Sequence, residues 1–134
     1  MNDVMKVGTK LVELCRQGKN TEALETLYSP HIVSVEAAAG PNMQARMEGI
    51  EAIRGKSSWW HANHEVHGAE VEGPYPHGDR FIVRFKFDVT GKGSSPIAGK
   101  RVTMDEAALY TVKDGKRTRP ISGTAKCFRG VCLG

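Results

Sequence analysis

Apolar residues recur at helical spacing in the first part of the chain. A helix over 3–16 is predicted by apolar residues at steps of three and four, namely Val4, Val7, Leu11, Leu14 and Cys15. Asn20 is placed to cap a second helix, TEALETLY, which Ser29 and Pro30 end. Two helices joined by a turn that contains Gly18 predict an αα-hairpin.

A third helix carries most of the unusual side chains. It follows a short β-branched strand, IVSVEA at 32–37, and a loop at 38–44, and is predicted from Met47 or Gly49 to Asn63. At 100° per residue, one helix face collects Ile50, Ile53, Ser57, Trp60, His61 and His64. Trp59 points nearly the opposite way. This face is apolar where the helix begins, and where the helix ends it carries histidines, which can exchange protons.

From Val66 onward, apolar and polar residues alternate with a period of two, which is typical of β-strands. Strands are predicted at 66–72, 80–89 and 100–112, separated by the turn-rich GPYPHGD and by the loop GKGSSPIAG. One face of the second strand is apolar throughout: Phe81, Val83, Phe85, Phe87 and Val89. The matching face of the third strand holds Glu106 among Val102, Met104, Ala108, Tyr110 and Val112.

The order helix, helix, strand, helix and then at least three antiparallel strands predicts an α+β domain. We expect a curved antiparallel sheet wrapped around the N-terminal helices. The open mouth of such a sheet is a natural cavity for a small molecule.

The length and the charge distribution of the chain limit the classes of partner that it can bind. The chain has 134 residues, which is enough for one domain with a real core. Its net charge of +4 comes from residues 117–134, which hold four basic residues and no acid and leave 15 basic against 15 acidic residues in 1–116. A nucleic-acid-binding surface needs a basic face on the fold, so none is expected.

No membrane association is expected either. No apolar run approaches the ~20 residues that span a bilayer, and the N-terminus lacks the pattern of a signal peptide. Three cysteines without a CxxC pair fit a reducing compartment, so we expect a cytoplasmic protein. Cys15, on the apolar stripe of the first helix, is interpreted as a small buried hydrophobe.

Four segments, ALETLYSP, IVSVEA, GIEAIRG and ALYTVKDGK, together resemble the nuclear-transport-factor-2-like superfamily in its SnoaL-like or ketosteroid-isomerase-like branch. The resemblance covers residues 4–116. It implies a cone-shaped, cystatin-like α+β barrel and a homodimer formed through the outer face of the sheet. The superfamily includes isomerases, cyclases, hydratases, hydrolases and binding modules, so the resemblance says less about activity.

Ketosteroid isomerase chemistry does not carry over. The position that matches the family's general-base aspartate, after Val35 and Glu36, is Ala37. The protonated aspartate of the oxyanion hole would fall near Ala108, which cannot donate a hydrogen bond. We therefore exclude steroid isomerisation as the specific activity.

The end of the chain departs from the family pattern. After Lys116 the segment 117–134 contains Pro120, three glycines and two cysteines, a composition typical of a poor central strand. We therefore divide the chain into a SnoaL-like domain at 1–116 and an atypical basic tail at 117–134. The last strand of the fold is expected to be altered or missing, and a reading-frame change is our hypothesis for its composition.

Glu106 is the first candidate for catalysis, because a carboxyl group on an apolar face must either find a partner or take a raised pKa. The alternatives are that the strand is frayed or that Glu106 forms a salt bridge to Lys or Arg. His64 is the second candidate, as an acid–base partner of Glu106, and its alternative is a core histidine bonded to backbone. Glu36 is a third acid unless it faces solvent.

The apolar cavity wall is predicted from Trp60, Tyr28, Phe85, Met104 and Tyr110. Trp59 is a candidate for the dimer contact. His61, His64 and His67 form an H-x-x-H-x-x-H pattern, but His67 falls beyond the helix and no further ligands complete a site. We expect neither a metal nor another cofactor.

These observations predict a protein that holds a small apolar organic ligand. If it is an enzyme, cofactor-free isomerisation, cyclisation or hydration by His64 with Glu106 or Glu36 is expected. The alternative is a non-catalytic ligand-binding or dimerisation module.

Overall fold

The structure is a computed structural model that describes residues 3–30, 32–35, 46–112 and 121–128. Three helices precede most of the sheet: α1 (Asp3–Arg16), α2 (Asn20–Leu27) and α3 (Ile50–Ala62). Six strands follow the chain as β1 (Val33–Val35), β2 (Arg46–Glu48), β3 (His64–His77), β4 (Arg80–Gly91), β5 (Arg101–Val112) and β6 (Ile121–Phe128). The predicted α+β class is confirmed.

The six strands form one sheet in the order β2-β1-β6-β5-β4-β3. Neighbouring strands are antiparallel except β1 and β6, which run parallel. The sheet is therefore not wholly antiparallel as predicted. The chain reaches β6 last, yet this strand lies between β1 and β5 and joins the two parts of the sheet.

The helices cover one face of the sheet, which we call the inner face. Alternation along β4 and β5 buries its apolar residues there, including Phe81, Val83, Ala108, Tyr110 and Val112. Helix α1 packs on β3 and β4 and adds Leu11 and Leu14 to the same core. The opposite, outer face carries the charged residues of β4 and β5 other than Glu106.

Helix α1 has the predicted bounds, whereas the start of α2 differs from the prediction. Asn20 is the first residue of α2, and the cap residue is Lys19, which makes no side-chain capping bond. Lys19 N–H donates to the Leu14 carbonyl of α1 (2.8 Å), and Ala23 N–H donates to the Lys19 carbonyl in the first hydrogen bond of α2 (3.0 Å). Asn20 lines the cavity described below.

Strand β3 is longer than predicted because it lies at the edge of the sheet. Pro74 and Pro76 suggested a turn, but an edge strand has one row of amides without ladder partners and tolerates proline. A register shift between Glu72 and Tyr75 accommodates the change in pairing. Strand β2, which pairs with β1, was not predicted at all.

The C-terminal segment contains a strand where the sequence favoured an altered or missing one. Ile121–Phe128 pairs with β5 and with β1. Pro120 precedes this strand in the sequence, so it removes no amide from it. A missing strand is thus not what the structure has, while the division at residue 116 and the reading-frame hypothesis stay predictions.

Two helical glycines predict opposite effects of adding a methyl group. A Cβ on Gly8 of α1 would lie 2.8 Å from Cβ of Pro74, whereas a Cβ on Gly55 of α3 would meet no atom within 4 Å. Alanine favours a helix over glycine by up to ~1 kcal/mol. We expect Gly55→Ala to be more stable than the parent, and Gly8→Ala to lose about 1–3 kcal/mol relative to it through overpacking.

Urea denaturation of both variants measures the difference. Equal stabilisation by the two substitutions would mean that α1 does not pack on β3 as closely as described.

Candidate functional site

A cavity of about 130 Å³ lies between the helices and the inner face of the sheet. Its size is close to the ~150 Å³ that accommodates benzene in an engineered protein cavity. All three helices, the segment after α2, and strands β4 and β5 contribute to its wall: Leu11, Cys15, Asn20, Ala23, Leu24, Tyr28, Ile32, Ile53, Lys56, Ser57, Trp60, His61, Phe85, Phe87, Glu106, Ala108 and Tyr110. A single six-membered ring fits this volume without movement of the wall.

The polar lining residues are unevenly distributed. Phe85, Ala108 and Tyr110, on the sheet side, are all buried. Lys56 is half-buried and His61 is exposed, both on α3, so the cavity opens to solvent on this side. A ligand would therefore meet a sheet side that is mostly apolar but contains Glu106, and a polar rim on α3.

An ion pair fixes the helices that form this rim. Arg54 of α3 donates two hydrogen bonds to the Glu25 carboxylate of α2, at 2.6 and 2.8 Å. The paired guanidinium also lowers the pKa of Glu25. Such bidentate geometry restricts the relative position of α2 and α3 more than a single contact would.

Glu106 lies on the inner face where the alternation of β5 placed it. It is 4% exposed, stands opposite Phe85 in the β4–β5 register and lines the cavity beside Ala108. A carboxyl group at this position can exchange a proton with a ligand in a largely apolar surrounding. Its catalytic role stays a prediction.

His64 does not line the cavity. Its ring is 6% exposed and stacks on Trp60 at a centroid distance of 4.7 Å. Its Nδ1 lies 2.8 Å from the Trp60 carbonyl oxygen, which can only accept, so Nδ1 carries the proton. Nε2 then accepts from the Ser95 hydroxyl at 3.0 Å, and Ser95 Oγ accepts from Ile97 N–H at 3.2 Å.

This arrangement matches the alternative of a core histidine bonded to backbone. The His64 ring joins the end of α3 to the loop at 92–100, behind Trp60 rather than across the cavity from Glu106. The proposed His64–Glu106 dyad stays a prediction that these contacts do not support. Glu36, the third acid, lies outside the described residues.

His61 takes the place that the sequence suggested for His64. It lines the cavity together with Glu106, and it was on the same predicted helix face, next to Trp60. Although much of the His61 side chain is exposed, loss of water around its ring, together with the neighbouring His64, lowers its pKa below the ordinary 6.5. The neutral imidazole therefore predominates at pH 7. The i, i+3, i+7 spacing of Ile53, Lys56 and Trp60 was the signal that could also have identified Lys56.

Four of the five predicted wall residues line the cavity: Trp60, Tyr28, Phe85 and Tyr110. Met104 does not, although it is two residues from Glu106 on the same face of β5, is half-buried, and pairs with the lining residue Phe87 in the β4–β5 register. The rings of Tyr28 and Tyr110 contact edge to face at 6.3 Å. Binding of a ligand by these residues stays a prediction.

Cys15 also lines the cavity but is not a nucleophile. Burial raises the pKa of its thiol to about 12, so the reactive thiolate is absent at neutral pH. The interpretation of Cys15 as a buried hydrophobe is confirmed by its 7% exposure.

The histidines of the H-x-x-H-x-x-H pattern do not converge. His67 lies on β3, where its Nε2 and the Thr90 hydroxyl are 2.7 Å apart, while His64 is bonded to Ser95. Within the described ranges, no group of three or more His, Cys, Asp or Glu side chains is arranged to hold a metal ion. None of the described helices has the length and apolarity to span a membrane.

The architecture and the cavity between helices and sheet define a protein of the nuclear-transport-factor-2-like class. A profile of the SnoaL-like domain matches residues 3–120, and the chain belongs to this SnoaL-like family. No protein of curated description matches the sequence.

Solved structures agree with this assignment. A protein of Mesorhizobium loti, provisionally described as a SnoaL-like polyketide cyclase, is 46% identical with a TM-score of 0.81, over 96% of this chain and 99% of its own. An NTF2-like protein of Burkholderia thailandensis has a TM-score of 0.72 at 16% identity, over 96% and 91% of the two chains. A Xanthomonas campestris protein of unknown function with a cystatin-like fold has a TM-score of 0.68 at 11% identity, over 95% and 90%. The last two are similar in fold alone.

The contacts of His64 predict a structural role for Ser95. Ser95→Ala removes the donor to His64 Nε2 and the acceptor for Ile97 N–H, and both groups are buried or half-buried. We expect a loss of about 1–3 kcal/mol in the free energy of unfolding. Denaturant titration followed by tryptophan fluorescence measures it.

Ser94→Ala is the matched control. Ser94 contributes its backbone N–H to Asn63 Oδ1 (2.7 Å), and that bond survives the substitution. Its effect should stay within about 0.5 kcal/mol. A Ser95→Ala protein as stable as Ser94→Ala would contradict the role of this bond.

Proposed function

We propose that the protein binds a small organic carbonyl compound in the cavity and moves a proton on it without a cofactor. The reaction is an isomerisation, cyclisation or hydration, and Glu106 is the acid–base group. The observation that carries this proposal is a carboxyl group, 4% exposed, in the wall of a mostly apolar cavity. Positioned acid–base groups of this kind contribute about 10²–10⁴-fold to reaction rates.

The chemistry follows from the position of Glu106. Its carboxylate takes a proton from the carbon next to the ligand carbonyl, and the C–H electron pair forms an enolate. The resulting carboxylic acid returns the proton to another carbon in an isomerisation. In a cyclisation the enolate carbon instead attacks a second carbonyl of the same molecule, whose oxygen receives the proton.

Two further observations support this class of reaction. The Mesorhizobium loti protein, 46% identical, is provisionally described as a SnoaL-like polyketide cyclase, which puts cyclisation among the reactions to test. His61 is neutral at pH 7 and lies at the cavity rim, where an imidazole can accept or donate a hydrogen bond. We assign it to orienting the ligand.

A ketosteroid stays excluded in this proposal. Ala108 lines the cavity with a methyl group where that enzyme has a donor to the oxyanion. A four-ring steroid also exceeds a volume suited to about one ring.

Hydrogen–deuterium exchange tests the proposal directly. Cyclohexanone is incubated with the protein in D₂O, and loss of the α-proton signal is followed by NMR. We expect the protein to accelerate exchange, and Glu106→Gln to reduce the rate by ~10²-fold or more because the amide cannot accept the proton. Ligand-observed NMR reports binding in the same samples.

Asp105→Asn is the matched control. Asp105 neighbours Glu106 in sequence but lies on the outer face, where it accepts two hydrogen bonds from Arg84 (2.6 and 2.9 Å). Its exchange rate should equal that of the parent. Binding of cyclohexanone without accelerated exchange would instead favour the non-catalytic ligand-binding module.

We also propose that the protein is a cytoplasmic homodimer that associates through the outer face of the sheet. Tyr75 and Ile82 are partners in the β3–β4 register and are 54% and 37% exposed, which gives this face an apolar patch. Ile82→Lys should shift the protein toward monomer in light scattering. Thr21→Lys, on exposed α2, should leave the mass unchanged, and a parent protein that is monomeric would contradict the proposal.

A further inference from the structure

Glu106 shares its cavity with five other titratable side chains among the described residues. They come from α1, the segment after α2, α3 and β5: Cys15, Tyr28, Lys56, His61 and Tyr110. Their charges at neutral pH decide whether a carboxylate is stable at this place.

Four of the five are neutral at pH 7. The pKa of the Cys15 thiol is about 12, and tyrosine hydroxyls ordinarily lose their proton near pH 10. The pKa of His61 lies below 6.5. Lysine is cationic at this pH. Among the cavity-lining residues that the structure describes, Lys56 is therefore the one positively charged side chain that shares the cavity with Glu106.

A buried carboxylate is stabilised by such a charge. Desolvation favours the neutral acid, which cannot accept a proton from a ligand. A cation in the same partly buried cavity favours the ionised form, because charges interact more strongly there than in bulk water. Lys56 is half-buried, and its long side chain starts from the helix face that also directs Ile53 and Trp60 into the cavity.

We propose that Lys56 is the charge partner of Glu106 and keeps its carboxylate ionised in the cavity. Lys56 is thus a positioning residue that acts through Glu106, and its ammonium is also the group that faces an enolate oxygen formed in the cavity. The effect of Lys56 on catalysis rests on the proposed function. The charge coupling between Lys56 and Glu106 does not, because it is present in the protein without ligand.

Titration of Glu106 tests the coupling. The carboxyl carbon of Glu106 is followed by NMR in ¹³C-labelled protein, in the parent and in Lys56→Met. We expect the midpoint of its titration to move to higher pH in Lys56→Met, by at least ~10-fold in acid dissociation constant, since removal of the cation disfavours the carboxylate. Lys56→Arg, which retains the charge, should restore most of the parent midpoint.

Lys86→Met is the matched control, because Lys86 is exposed on the outer face of β4 and pairs in the β4–β5 register with Asp105, the residue before Glu106. It should leave the Glu106 midpoint unchanged. If Lys56→Met does not fold, Lys56→Gln replaces it. An unchanged midpoint in the folded variant would overturn the proposal and would indicate that the Lys56 ammonium extends into solvent.

The pH profile of cyclohexanone exchange separates this inference from the proposed function. We expect Lys56→Met to exchange more slowly than the parent at pH 7, by about two- to fivefold for a tenfold change in acid dissociation constant from a parent midpoint between about pH 6 and 7, and to recover at higher pH, where Glu106 ionises without help. A loss of stability alone would not move the profile along the pH axis.

If Glu106→Gln abolishes exchange while Lys56→Met has the parent profile, the function stands and the coupling fails. If the midpoint moves but no exchange occurs, the coupling stands and the function fails.

Discussion

The pairing of β4 with β5 is the constraint on which the cavity depends. It runs without interruption from Arg80–Thr111 to Thr90–Arg101. Side chains of a strand alternate between faces, so a slip of one residue would move Glu106 to the outer face and Asp105 into the cavity. Charged pairs on the outer face oppose such a slip, because Arg84 bonds to Asp105 and Arg101 bonds to Asp88 at 2.6–2.9 Å. The guanidinium groups of these arginines also hold the pKa values of Asp88 and Asp105 below their usual range.

The sequence predicts the parts of this fold whose residues follow one period for ten positions or more. Helix α1 has the predicted bounds, and the alternation in β4 and β5 correctly put Glu106 among buried apolar residues. Elements that depend on their neighbours were less predictable. Strand β3 continues through its prolines because it is an edge strand, and β2 has only three residues, too few for a period to be detected. Strand β6 is stabilised by partners on both sides rather than by its own composition.

Side-chain placement shows the same limit at the end of α3. The helical projection grouped His61 with His64, but α3 ends at Ala62 and the following residue bends the chain into β3. Asn63 holds this bend from both sides, since its amide donates to the Trp59 carbonyl (2.7 Å) and its Oδ1 accepts from Ser94 N–H (2.7 Å). A periodic pattern cannot predict that a loop thirty residues later provides these partners.

The bend also explains why the two histidines serve different purposes. Because both ring nitrogens of His64 are engaged, its ring is fixed and supports Trp60 from behind by stacking. Trp60 in turn contacts Phe87 at 5.6 Å, so this part of the cavity wall is held from the helix, the loop and the sheet. A histidine committed to this structural role is poorly suited to exchange protons with a ligand, since either ring nitrogen would first have to break a buried hydrogen bond. In the function proposed above, acid–base chemistry in the cavity is therefore assigned to Glu106, and Lys56 and His61 are the polar groups of α3 that line the same cavity.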